Sequence, residues 1–131
     1  MKKDLKTIIL TRTELQIMNA VWERGTATVK DVYGAMSRNK PTAYTTVLTL
    51  MGILEEKGAL AHTKSGRAYV FRPVLSRRQA TQNQVRDILA RFFDGNPEKL
   101  IENLLQEEMG ETELWGTIKV LLEAKQKNHV A

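Results

Sequence analysis

The sequence predicts a mainly helical chain interrupted by one β-hairpin, on three observations. Apolar residues recur at helical spacing through most of the 131 positions. Helix-start signals (Thr11 with Glu14, Thr28 with Asp31, and Ser76) stand immediately before those stripes. A single segment, Leu60 to Arg72, switches to period two around a Ser-Gly turn.

Thr11-Arg12-Thr13-Glu14 has the capping-box spacing, in which hydroxyl and carboxylate each satisfy an orphan backbone donor. Leu15, Met18 and Trp22 behind it form one helical stripe, and Gly25 is the stop. Thr28 with Asp31 starts a short second helix, whose stripe is Val29, Val32 and Met36. Ser37 to Pro41 is a polar break ending in a proline suited to a first helical turn.

The third helix, roughly Thr42 to Lys57, is the informative one. At 100° per residue Ala43, Val47, Leu50 and Leu54 lie within about 60° of one another, a stripe to bury. Thr45, Thr49, Gly52 and Glu56 form the opposite face, with Tyr44 and Leu48 on a flank. An exposed helix face ordinarily carries Lys and Glu, yet no charged residue occurs between Lys40 and Glu55. Small hydroxylated side chains permit close approach to another surface. A threonine offers a hydroxyl to a base edge and a methyl to the 5-methyl of thymine. The alternative is a face packed on another protein element.

Gly58 ends that helix. Leu60–Thr63, the turn Lys64-Ser65-Gly66-Arg67, and Ala68–Arg72 read as a hairpin closed by Pro73, with two cations at its tip. Three helices followed by a basic hairpin make a winged helix-turn-helix, the third helix suited to the major groove and the wing to the backbone or minor groove. His62 reads as an ordinary strand histidine, not a metal ligand.

Downstream, Ser76 caps a helix to Phe93 with Val85, Ile88, Leu89 and Phe92 as its stripe. Asp94-Gly95-Asn96-Pro97 stops and restarts the chain. Leu100, Ile101, Leu104, Leu105 and Met109 make the next helix amphipathic. After Gly110, Thr112 is positioned to cap a last helix bearing Trp115, Ile118 and Leu122. Three short helices make a small core to stand alone, so these stripes suit burial against a second copy. The expected organisation is a winged helix over 1–73 and a helical dimerisation region over 74–131. The competing arrangement folds these helices back onto their own winged helix.

Charge supports that division. Residues 1–73 hold twelve Lys/Arg against six acids, a net +6; residues 74–131 hold eight against nine, a net −1, so the whole chain is +5. A basic module joined to a near-neutral one suggests a polyanion reader with an interaction segment. The absence of cysteine excludes disulfides and thiolate metal sites. No metal or other cofactor is expected. No apolar run approaches the roughly 20 residues of a membrane span, and Ile8-Ile9-Leu10 is too short for a signal-peptide core. A cytoplasmic location is the expectation. No Ser/His/Asp set, phosphate loop or paired-carboxylate signature points to an enzyme.

The residues also resemble a known family. Leu10-Thr11, Glu14-Leu15, Val21-Trp22-Glu23, Thr28–Val32, Ala43–Thr49, Leu54–Gly58 and Gly66–Pro73 closely resemble the penicillinase-repressor family, which includes BlaI, MecI and the copper-responsive repressors. The similarity is dense to residue 80 and weaker beyond. It implies a bacterial homodimeric repressor binding a palindromic operator upstream of β-lactamase-related or other stress genes. By position it places Tyr44, Thr45, Thr46 and Thr49 on the recognition helix, and Lys64 and Arg67 on the wing.

It further implies derepression by a membrane sensor protease through cleavage at an Asn–Phe bond, which here corresponds to Asn103–Leu104. The alternative is an ordinary helix bond. Two departures stand out. The copper branch's C-terminal cysteine motif is missing, and this helix has Gly52-Ile53 where many relatives carry a basic residue near the position of Ile53.

The residues expected at DNA are therefore Thr42, Tyr44, Thr45, Thr46 and Thr49 for reading and positioning, and Arg38, Lys40, Lys64 and Arg67 for the backbone. Those expected at the dimer interface are Ile88, Phe92, Leu100, Ile101, Leu104, Leu105, Trp115, Ile118 and Leu122. Rival readings are a winged helix used for protein or RNA binding, and release by a small ligand near Trp115, Phe92 and Phe93.

Overall fold

Local hydrogen bonding sets the helix starts. Thr11 Oγ1 accepts from the Glu14 amide at 3.2 Å while the Glu14 carboxylate accepts from the Thr11 amide at 2.8 Å, opening α1, Arg12–Arg24. Thr28 and Asp31 form the same reciprocal cap at 3.1 and 3.0 Å and open α2, Val29–Met36. Each cap satisfies two donors that the helix itself leaves unpaired. Gly25 ends α1 at φ +84°, where a side chain would be strained.

The computed structural model describes residues 4–38, 41–107 and 111–129. Lys40 and Met109, both singled out from the sequence, lie outside them. A short 3-10 turn, Leu5–Thr7, precedes α1. Helix α3 spans Tyr44–Lys57 and stops at Gly58, which is left-handed at φ 93°.

Its buried stripe is Val47, Met51 and Leu54, with Leu50 half-buried. Ala43, expected in that stripe, is instead the exposed N-cap residue. Pro41-Thr42-Ala43 precede the helix, and Ala43 has extended backbone at ψ 140°. The helix thus begins two residues after the expected Thr42, and Met51 takes the core position. In α1 the buried positions are Glu14, Ile17, Met18, Ala20 and Val21, while Leu15, expected in the stripe, is 42% exposed.

Strands β1, Leu60–Ser65, and β2, Ala68–Pro73, pair antiparallel from Leu60 opposite Pro73 to Ser65 opposite Ala68. The turn is the two residues Gly66-Arg67, tighter than the four expected, and Gly66 has φ +62°. Two-residue hairpin turns require positive φ at the first central position, which glycine supplies without strain. Ala27 and Phe71 exchange backbone hydrogen bonds at 3.0 and 2.8 Å, stitching the start of α2 to the hairpin. Helices α1 to α3 and the hairpin enclose one core, with Ile17, Met18, Val21, Val32, Met51 and Leu54 at its centre.

The chain forms two compact units, Met1–Val85 and Arg86–Ala131. The first therefore extends past the boundary expected at residue 73. Long-range contacts explain the extension. Leu75 is fully buried and its carbonyl accepts from Trp22 Nε1 at 2.9 Å. Asn83, 3% exposed, donates to the carbonyls of Leu5 at 2.7 Å and Ile8 at 3.0 Å. Helix α4, Arg77–Phe92, opens with a reciprocal cap between Ser76 and Gln79 and contributes its first half to this unit.

Beyond α4, Asp94 and Gly95 take positive φ, and Asn96 Oδ1 accepts from the Glu98 amide at 2.9 Å to start α5, Pro97–Glu107. Helix α6 spans Glu111–His129, so Thr112 lies inside it and is not its cap. Leu114 is buried; Ile88, Leu89, Leu100, Leu104, Leu105 and Ile118 are half-buried; Phe92, Ile101, Trp115 and Leu122 are exposed. Among the described residues no helix is long and apolar enough to cross a membrane.

Candidate nucleic-acid interface

Helix α3 is held from three sides, which fixes the face it turns outward. Val47, Met51 and Leu54 anchor it in the core. At its start the Tyr44 ring meets Tyr33 of α2 edge-on, centroids 5.4 Å apart. In its last turn Lys57 Nζ reaches both Glu14 oxygens at 2.8 Å, and Glu55 pairs with Nδ1 of His62 on β1. The His62 ring also packs against Tyr69, centroids 4.7 Å apart, and Phe71. Helix α3 and the hairpin are thereby joined through Glu55 and His62.

The outward face of α3 carries no charge over its first eleven residues. Tyr44, Thr45, Thr46, Leu48 and Thr49 are exposed, and Thr45, Thr46 and Thr49 line one shallow recess of about 270 Å³ with Leu50. Gly52 continues this face, and a Cβ placed there would meet nothing within 4 Å. Thr42, in the approach to the helix, is half-buried. Arg38 is exposed just after α2, and Lys64 and Arg67 are exposed at the hairpin end. Of the sequence-derived set, Tyr44, Thr45, Thr46 and Thr49 thus share one uncharged helical face, Arg38, Lys64 and Arg67 are exposed at two flanking sites, and Thr42 precedes the helix.

Sequence reasoning did not single out Tyr33, Glu55 or Tyr69. Tyr33 and Tyr44 lie on different helices, and nothing in their spacing signals a ring contact. Tyr69, opposite Lys64 in the register, is exposed on the wing and adds an aromatic surface beside the cation. His62 is engaged by Glu55 and two rings, and no group of three or more His, Cys, Asp or Glu among the described residues could hold a metal ion.

Two carboxylates sit below their ordinary pKa. For Glu14, burial pushes upward, but the hydrogen bonds from Lys57 and the Thr11 amide, with the Lys57 charge, outweigh it. Asp31 is lowered chiefly by the Thr28 amide, with Arg24 at 3.5 Å assisting. Both are structural acids locked into helix caps.

A helix-turn-helix with an uncharged, close-approach recognition face and a cation-bearing hairpin defines a winged-helix DNA-binding protein. The sequence model of the family described as Penicillinase repressor matches residues 10–124. The chain belongs to the penicillinase repressor family, a family of DNA-binding transcriptional repressors, not of enzymes.

Among its relatives, the penicillinase repressor of Bacillus licheniformis is 25% identical over 99 residues, covering 76% of this chain and 77% of that protein. The transcriptional regulator BlaI of Mycobacterium tuberculosis is 32% identical over 82 residues, covering 62% of this chain and 59% of that one. The solution structure of the DNA-binding domain of the repressor BlaI matches with TM-score 0.52 and 27% identity, over 60% of this chain and 93% of that one. The Bacillus licheniformis BlaI monomeric form in complex with the blaP half-operator matches with TM-score 0.50 and 26% identity, over the same shares.

Proposed function

We propose that this repressor occupies a palindromic operator as a cytoplasmic homodimer, one winged helix on each half-site. The observation that carries the reading is the exposed, uncharged face of α3 flanked by cations. Thr45 and Thr49 read base edges from the centre of that face, while Thr42, Tyr44 and Thr46 position it against bases and adjacent phosphates. Arg38, Lys40, Lys64 and Arg67 hold the backbone. With no Arg or Lys at the centre of α3, bidentate guanine contacts are few, and readout leans on thymine methyls and DNA shape.

The half-operator complex of the Bacillus licheniformis relative supports operator DNA as the partner. Dimerisation rests on the second unit, where Ile88, Phe92, Leu100, Ile101, Leu104, Leu105, Trp115, Ile118 and Leu122 lie on helices with apolar surface left exposed.

Binding of the chain to its own upstream region, against random duplex and RNA, tests the reading. Thr45→Ala and Thr49→Ala weaken specific binding far more than non-specific binding. Equal losses on both, or preference for RNA, would overturn it.

The regulated genes in this reading are β-lactamase-related or other stress genes, and a membrane sensor protease relieves repression at Asn103–Leu104. Asn103 is exposed and Leu104 half-buried in α5, so a cut there divides that helix. Co-expression with a sensor protease and inducer yields the two fragments; an intact chain counts against this switch.

A further inference from the structure

On the first unit, away from α3 and the hairpin tip, a cleft of about 450 Å³ lies between α1 and the first half of α4. That volume is within the roughly 300–1,000 Å³ usual for small-ligand sites. Leu10, Leu15, Trp22, Ala80 and Val85 supply apolar wall, and Leu15 and Val85 are both more than two-fifths exposed. The Trp22 ring is fixed in place because its Nε1 donates to the Leu75 carbonyl.

Two cations stand in this wall. Arg77 places its guanidinium 5.3 Å from the Trp22 ring centroid, and Arg12 sits in the first turn of α1. Among the described residues neither forms an ion pair with a carboxylate, and no Asp or Glu lines the cleft. Arg12 is also placed against its own helix, since the N-terminal end of a helix disfavours a cation. An anion beside Arg12 would relieve that disfavour and one beside Arg77 would meet its guanidinium near the other end of α1, while its apolar part covers the wall of Leu15, Val85 and the indole between them.

We infer that this cleft binds a small amphipathic organic anion, a carboxylate on an aliphatic or aromatic body. Charge complementarity selects that occupant over a neutral apolar one: the wall offers two donors of one sign and no acceptor charge. The inference is independent of the DNA-binding reading, because neither Arg12 nor Arg77 belongs to the α3 face or the wing.

Calorimetric titration of the full chain with octanoate, octan-1-ol and octylammonium tests it, with the Trp22 indole resonance followed to locate the site. Octanoate saturates and moves that resonance, whereas the alcohol and the amine bind at least about tenfold more weakly. Arg12→Gln combined with Arg77→Gln weakens octanoate by about tenfold or more and leaves the helical spectrum unchanged, since both side chains are on the surface; Arg77→Lys retains most of the binding. Equal binding of octanoate and octan-1-ol, an unaffected double variant, or no octanoate binding because residues 86–131 or a second copy fill the cleft would each overturn it.

Discussion

Lys57 Nζ stands 2.8 Å from both carboxylate oxygens of Glu14, a residue only 2% exposed, and so ties the last turn of α3 to the first turn of α1. The same carboxylate closes the capping box at Thr11. Lys57→Met leaves a buried charge with only its cap partners and should cost about 2 kcal/mol, the scale of a charged hydrogen bond whose lysine end is partly solvated. Adding Glu14→Gln should cost less than the two single losses combined, because the second change removes the orphaned charge. Urea unfolding of the two single variants and the double variant measures this; strict additivity would deny the pairing.

Acid stability follows from the same carboxylate. Glu14 and Asp31 both titrate below their ordinary values in the folded chain. A depressed folded pKa gives stability that is fully present above the unfolded pKa, near 4 for such carboxyls. It is lost as pH falls through the folded values. Stability should therefore be flat through neutrality on account of these groups and decline below about pH 4. Glu14→Gln should flatten that acid limb, as read by thermal unfolding across acid pH.

Substitution at Gly52 should separate folding from operator binding. A Cβ there meets nothing within 4 Å, so no intramolecular crowding requires glycine. Gly52→Ala should stabilise the free protein by roughly 0.5–1 kcal/mol, the usual gain in an exposed helix interior. Because Gly52 continues the Thr45–Thr49 face, the same methyl should weaken operator binding. A higher melting temperature with unchanged operator affinity would remove Gly52 from the interface.

What was legible in the sequence was what local chemistry encodes. The reciprocal caps at Thr11–Glu14 and Thr28–Asp31, the stops at Gly25 and Gly58, and the hairpin all depend on residues a few positions apart. The uncharged face of α3 was legible because helical periodicity alone places Thr45, Thr49 and Gly52 together. Contacts between distant elements left no such trace. Asn83 holds the carbonyls of Leu5 and Ile8, and this draws α4 into the first unit. The pairings of Glu14 with Lys57 and of Tyr33 with Tyr44 likewise depend on how helices pack. Ala43 was misplaced because angular position assumes a helix already begun, and the backbone at Ala43 is still extended.

Arg67 tests the wing. It is exposed in the two-residue turn, beside a glycine whose positive φ shapes the tip. If it grips phosphate, Arg67→Ala should weaken specific and random duplex alike and lower the slope of log affinity against log salt by about one. Folding should be unaffected, since the side chain is exposed in the hairpin turn. Binding measured over a salt series decides it, and an unchanged slope would place Arg67 off the backbone.

The second unit leaves apolar surface that a lone chain has no reason to expose. Phe92 is 70% exposed, Trp115 64% and Leu121 63%, and Val120, Leu121 and Leu122 are three consecutive exposed apolar residues of α6. Consecutive residues point about 100° apart, so the three cover much of the helix circumference. Light scattering should therefore give twice the 14.9 kDa chain mass. Leu121→Asp should restore the single mass while keeping α6 helical, because the aspartate is costly only if a partner buries it. Full-operator affinity should then fall by about 10²–10⁴, the factor lost when two linked half-site contacts become independent. Half-site affinity should not change, which distinguishes a broken dimer from a damaged winged helix. A wild-type chain of single mass would overturn the dimer.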